Sequence, residues 1–154
     1  MVNLEQSNTV LHATTIDVSG RGASIIGESG SGKSSLAIKL IALGADLVSD
    51  DQTLLEFADD KILLSKPRRV PCAIEARGIG LIPIPSIKKS ELFCFVKLID
   101  KPIERLPPLN DQICLGKTIR LIHFNPISGN EAALFLMIKY GLIDPIGHGD
   151  DFFE

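Results

Sequence analysis

The stretch Gly27-Glu28-Ser29-Gly30-Ser31-Gly32-Lys33-Ser34 constrains this chain more than any other. It satisfies the pattern GxxxxGK[ST] in full, and its flanks supply the context the pattern needs. A short apolar run, Ala23-Ser24-Ile25-Ile26, leads straight into it. After it, residues 34–43 put Leu36, Ala37, Leu40, Ile41 and Leu43 at helical spacing, with Gly44 where a helix would end. Asp46-Leu47-Val48-Ser49 then reads as a strand. Strand, glycine loop, helix and strand predict a βαβ unit, and so an α/β protein.

The chemistry follows from the spacing. Glycines let backbone N–H groups turn inward around phosphate oxygens, and the helix behind them points its positive end at the same charge. Lys33 is placed to reach the β- and γ-phosphates of a nucleotide, and the Ser34 hydroxyl to ligate Mg²⁺. A glycine-rich turn with a chance lysine would need neither the strand before nor the amphipathic helix after.

With 154 residues the chain has room for one core, and 45% hydrophobic against 23% charged residues is ordinary for a globular domain. Sixteen Lys and Arg against nineteen Asp and Glu leave a net charge of -3, too few cations for a broad nucleic-acid face. Aromatics are 5% with no Trp, which argues against a base-stacking platform. Cys72, Cys94 and Cys114 make no CxxC pair, as suits a reducing cytoplasm. The start is polar, unlike a signal peptide, and the most apolar run, residues 92–99, includes Lys97 and is too short to cross a bilayer. Together these predict a soluble cytoplasmic protein with one domain over residues 1–143 and an acidic, flexible tail over 144–154.

Elsewhere the reading is coarser. Residues 10–18 look strand-like and end at the turn Ser19-Gly20-Arg21-Gly22. Residues 53–57 and 61–65 suggest a hairpin joined by Ala58-Asp59-Asp60, and 93–99 and 118–124 suggest two further strands. Prolines at 67, 71, 83, 85, 102, 107 and 108 argue for short strands and ordered loops. Ser128-Gly129-Asn130-Glu131 matches a capping box, predicting a second helix with Ala133, Leu134, Met137 and Ile138 inward and Gly141 as terminator.

Several polar residues carry two readings. Asp50-Asp51 closes the strand after the first helix, where a carboxylate can face metal and phosphate or simply cap a solvated turn. Adjacent strand residues point opposite ways, so one of the pair is expected at the site. Glu75 and Arg77 share a face if extended, and could hold metal and phosphate or pair with each other at the surface. Lys66, Arg68 and Arg69 read as a solvated charge run before a phosphate site. His12, His123 and His148 lack metal-ligand spacing, and Arg105, among prolines, reads equally well as structural.

His12, the loop GESGSGKSS, the stretch LVSDD at 47–51 and EARGIG at 75–80 occur in one order and spacing. In these the chain resembles the catalytic domain of the bifunctional HPr kinase/phosphorylase family, which modifies a serine of the bacterial phosphocarrier HPr. The resemblance runs from about His12 to Arg105. It implies a phosphate loop on a mixed sheet with a phosphoenolpyruvate carboxykinase-like core. It implies ATP and Mg²⁺ as cofactors, with Lys33 on phosphate and Ser34 and Glu75 on magnesium. By the same resemblance Asp51 is the base in phosphorylation and the acid in the reverse reaction. His12 lies near the reacting phosphate, while Arg77 and Arg105 are catalytic arginines, the latter on the short match Ile103-Glu104-Arg105-Leu106. HPr or a paralogue is the implied partner and a homo-oligomer the implied assembly, with no nucleic acid or membrane. Two departures stand out. The chain resembles a short form without the family's N-terminal domain, and Asn125-Pro126-Ile127-Ser128-Gly129 carries no Lys or Arg where members have a basic loop. The expected function is an ATP- and Mg²⁺-dependent protein serine kinase with reverse phosphorylase activity. The alternatives are an ATP-binding regulatory module without transfer and a small-molecule kinase.

Overall fold

The computed structural model describes residues 7–143. The predicted tail, 144–154, and His148 within it lie outside the described residues. The elements in chain order are β1 (Asn8–Leu11), β2 (Thr14–Val18), β3 (Arg21–Ile26), α1 (Lys33–Ala42), β4 (Asp46–Ser49), β5 (Thr53–Ala58) and β6 (Lys61–Ser65). They continue with β7 (Ala73–Ala76), β8 (Gly80–Pro83), β9 (Ser90–Leu98), β10 (Asn110–Cys114), β11 (Lys117–Phe124) and α2 (Glu131–Tyr140). Nine strands form a mixed sheet with the path β1-β5-β6-β9-β3-β2-β4, and β7-β8 is a separate hairpin.

The predicted βαβ unit is present, with one strand intervening. β2 pairs antiparallel with both β3 and β4, so β3 and β4 run parallel on either side of it. The sheet also forks at β9. β3 lies along one edge, while β6 takes the start of the other edge and β11 its C-terminal half. A one-residue bulge marks the fork: Gly22 faces Leu92 and Ala23 faces Cys94, leaving Phe93 extra. Phe93 and Cys94 then both pack toward the helices, while Leu92 and Phe95 pack away from them. Gly22 is required there, because a Cβ would sit 2.6 Å from Leu64 Cδ1 and 2.8 Å from the Glu91 carbonyl oxygen.

Both faces of the sheet are packed. On one, Leu36, Ala37 and Leu40 of α1 and Leu134 and Ile138 of α2 cover Ile16, Ala23, Ile25 and Val96. On the other, the sheet curls so that Leu55, Ile62, Leu64, Phe95 and Ile119 bury one another. Cys94 is buried, Cys72 exposed and Cys114 half-buried. Among the described residues no helix is long and apolar enough to cross a membrane.

Three expectations need correction. The strand-like stretch 10–18 is broken at His12-Ala13, which turns His12 out of the ladder. The capping box does not form: Asn130 caps α2 without a side-chain bond. Asn125-Pro126 instead draws the chain into a 3-10 turn, Pro126–Ser128, in which Asn125 Oδ1 accepts from the Ile127 N–H at 3.0 Å. Ala133 is exposed, and Phe135 packs against the core in its stead.

Candidate active site

Everything at the site is hung on the ends of β2, β3, β4 and β7. The chain leaves β3 at Ile26, loops over 27–32, and re-enters regular structure at Lys33. Gly32, at φ 103°, makes the turn into α1 that a side chain would resist. Lys33 is 7% exposed, and its Nζ donates to the Gly27 carbonyl at 3.1 Å and the Glu28 carbonyl at 3.0 Å, closing the loop on itself.

The two aspartates divide their duties. Asp50 is buried and accepts three bonds: from Ser34 Oγ at 2.7 Å and Thr14 Oγ1 at 2.9 Å on Oδ1, and from the Glu75 N–H at 3.2 Å on Oδ2. Asp51 is exposed, and its carboxylate lies 3.4 Å from His12 Nε2. Asp51 lines the phosphate pocket and Asp50 sits behind it. The reason is not strand alternation, which ends at Ser49: Asp51 adopts a left-handed backbone, φ 68°, and turns outward while Asp50 stays buried.

A pocket of about 240 Å³ gathers His12, Thr14, Lys33, Ser34, Asp51, Glu75 and Arg77 along with Ser29, Gly30 and Gly32 of the loop. Glu75 and Arg77 are exposed there, and neither joins an ion pair among the described residues, so the surface-pair reading does not hold. A second cavity of about 610 Å³ lies against the loop's other flank. It is lined by residues 27–31 of the loop, by Lys97 near the end of β9, by Ile99 and Lys101 beyond it, and by Asn125, Pro126 and Ile127. Ser29 and Gly30 line both, so the two spaces adjoin over the loop.

Arg105 is exposed in the loop between β9 and β10 and lines neither cavity. Of the basic cluster, Lys66 is absorbed by the Pro67 and Val70 carbonyls, and Arg69 donates to Gln52 Oε1. His123 stays in β11. Sequence reasoning passed over Thr14 entirely and undervalued Asp50. Thr14 carries no spacing signal, since pairing across the sheet brings it in, and nothing in the sequence marks Asp50 as the hydrogen-bonded member of its pair.

The donor set suits a magnesium nucleotide. Ser34 gives its proton to Asp50, which leaves its lone pairs free, and Glu75 stands across the same pocket. Among the described residues no three His, Cys, Asp or Glu side chains group as a metal cage. One or two protein ligands completed by phosphate oxygens and water is how Mg²⁺ is commonly held.

Residues 4–94 match the family described as HPr Serine kinase C-terminal domain. The HPr kinase/phosphorylase of Bordetella pertussis is 36% identical over 161 residues, covering 90% of this chain and 52% of that protein. That of Clostridium tetani is 42% identical over 79 residues, covering 51% of this chain and 26% of that protein. The chain thus spans about half the length of the first of these curated relatives and about a quarter of the second. The structure of the Hpr(Ser) kinase/phosphatase from Coxiella burnetii superposes with a TM-score of 0.75 at 25% identity, covering 84% of this chain and 88% of that one. Loop, aspartate pair and the hairpin bearing Glu75 and Arg77 all fall inside the matched residues, and the chain belongs to the HPr serine kinase C-terminal domain family.

Proposed function

We propose that the chain is a cytoplasmic ATP- and Mg²⁺-dependent protein kinase that phosphorylates a serine of HPr or a paralogous phosphocarrier. One observation carries the reading most: of two adjacent carboxylates, Asp50 is consumed by hydrogen bonds while Asp51 stands open in the phosphate pocket beside His12. A carboxylate so placed can accept a hydroxyl proton.

In this reading the nucleoside occupies the larger cavity and the phosphates pass over Ser29 and Gly30 into the smaller one. Lys33 exchanges its loop carbonyls for phosphate oxygens, Arg77 neutralises charge on the transferred group, and Ser34 and Glu75 hold the metal. Bound Mg²⁺ would offset charge on the β- and γ-phosphates. The substrate serine oxygen bonds to the γ-phosphorus, its proton passes to Asp51, and ADP leaves with the bridging oxygen. In the reverse direction the same carboxyl returns the proton to the serine oxygen. His12, 3.4 Å from Asp51, orients that carboxylate. Arg105 has no place in these steps within one copy of the chain, and the homo-oligomer implied by the resemblance belongs to this proposal. Catalysis is then mainly positioning and charge neutralisation.

The test is transfer of labelled γ-phosphate from ATP to purified HPr, with Lys33→Ala as the control that removes the phosphate contact. Lys33-dependent labelling of an HPr serine is the expected result. Tight ATP binding without transfer would make the chain a sensor, and turnover only with small metabolites would make it a small-molecule kinase.

A further inference from the structure

We infer that Thr14 is a positioning residue for the transfer step, its single hydroxyl setting both members of the aspartate pair. Thr14 opens β2 and pairs with Ile25, just before the phosphate loop. The residue is fully buried, yet it is among those that line the pocket. A hydroxyl has one proton to give and lone pairs to receive. Here the proton goes to Asp50 Oδ1 at 2.9 Å, and the oxygen accepts the Asp51 N–H at 3.3 Å.

Each bond has a consequence at the site. Oδ1 of Asp50 receives both Thr14 and Ser34, which fixes the carboxylate plane and commits the Ser34 proton away from the pocket. Asp51 sits in a left-handed backbone, φ 68°, which non-glycine residues adopt only with local support. The bond to Thr14 holds its amide in that conformation, and so aims its carboxylate at His12.

Thr14 is itself rigidly based. Thr53 Oγ1 donates to the Ala13 carbonyl at 3.0 Å, so Thr15 must donate to Thr53 at 2.9 Å and accept from Ser24 at 2.8 Å. This buried hydroxyl chain ties β2, β3 and β5 together directly under the residue that spans the two acids.

The inference rests on the kinase reading, and its test separates the two. Steady-state transfer to HPr is measured with Thr14→Val, which keeps shape and loses both bonds, and with Thr14→Ser, which keeps the hydroxyl. Thr14→Val should lower kcat about ten- to a hundredfold, the range for a bond to a charged group. KM for ATP should stay within about threefold, and Thr14→Ser should restore kcat to within about threefold of wild type, because binding contacts and the hydroxyl are respectively untouched. In an Asp51→Asn background the Thr14→Val loss should shrink, because the part that acts through the Asp51 carboxylate is already gone and only the part through Asp50 remains. A wild-type kcat in Thr14→Val, or an equal loss in both backgrounds, overturns the assignment while leaving the kinase intact. Should Thr14→Val not fold, Thr14→Ala is judged by the same criteria. If the wild type transfers nothing, the kinase reading falls. Thr14 is then judged by hydrogen exchange of the Asp51 amide: faster exchange in Thr14→Val, restored in Thr14→Ser, supports it, and unchanged exchange overturns it.

Discussion

Asp50 and Asp51 are neighbours in sequence with opposite environments, and their amides should behave accordingly. Asp51→Asn removes the exposed carboxylate proposed as the base, so ATP affinity should hold within a few-fold while serine phosphorylation drops ~10²–10⁴-fold in a transfer assay. Asp50→Asn places an amide where three donors converge, one of whose groups cannot accept. It should cost about 1–3 kcal/mol in urea unfolding and also weaken magnesium-dependent nucleotide binding. Equal, small effects on transfer from both changes would remove the base from the mechanism. Glu75 gives a contrasting case, since its exposed carboxylate pairs with nothing among the described residues. Glu75→Gln should leave the melting temperature near wild type and raise the magnesium concentration needed for half-maximal transfer. An unchanged magnesium dependence would sink its role as a ligand.

Gly22 shows how one residue governs an element. A Cβ there meets Leu64, Ser90 Oγ at 2.7 Å and a backbone carbonyl, and Ser90 is already committed to Asp17. Gly22→Ala should therefore cost about 1–3 kcal/mol by urea unfolding, more than the same change at an open turn such as Gly20 after its backbone cost is allowed for. The two helices are joined by Lys39 of α1 and Glu131 at the start of α2, 3.1 Å apart. A bond with its own backbone amide, and then the Lys39 ammonium, hold the Glu131 carboxyl below its ordinary 4.5. A depressed carboxylate contributes stability above that ordinary value and loses it as pH falls through the lowered one. Thermal melts should show Glu131→Gln with a flatter decline than wild type below about pH 4.5, and parallel declines would refute the coupling. At this scale the reading of the chain succeeded where a local rule was sufficient: α1 from its apolar spacing, β4 from its four residues, the β5–β6 hairpin from Asp59-Asp60, both at positive φ. It failed at β7, β8 and β10, which are only four or five residues long: Pro71, Pro83 and Pro85 around β7 and β8 suggested loops, and Asn110-Asp111-Gln112 of β10 carry no apolar alternation. The false capping box shows the same limit, since Ser128 and Glu131 have the right spacing but Gly129, at φ 73°, breaks the turn between them.

Across the whole molecule, what could not be read locally is which strands meet. The placement of β2 between β3 and β4, and the fork at β9, depend on partners far apart in sequence. The same non-local pairing brings Thr14 and Glu75 to Asp50, so the motif residues were legible and their supports were not. The uneven burial of the three cysteines has a practical consequence. Thiolates, not thiols, react with alkylating reagents, and burial pushes Cys94 up to about 12 and raises Cys114 as well. A maleimide at neutral pH should therefore label one site quickly, Cys72, with Cys114 slower and Cys94 only after unfolding, as peptide mass spectrometry would show. Cys72 accepts the Ile84 N–H at 3.2 Å, beside the β7–β8 hairpin that carries Glu75 and Arg77. On a chain with no tryptophan, a fluorophore at that thiol would serve as an optical gauge of the proposed nucleotide's arrival, requiring no mutation to install.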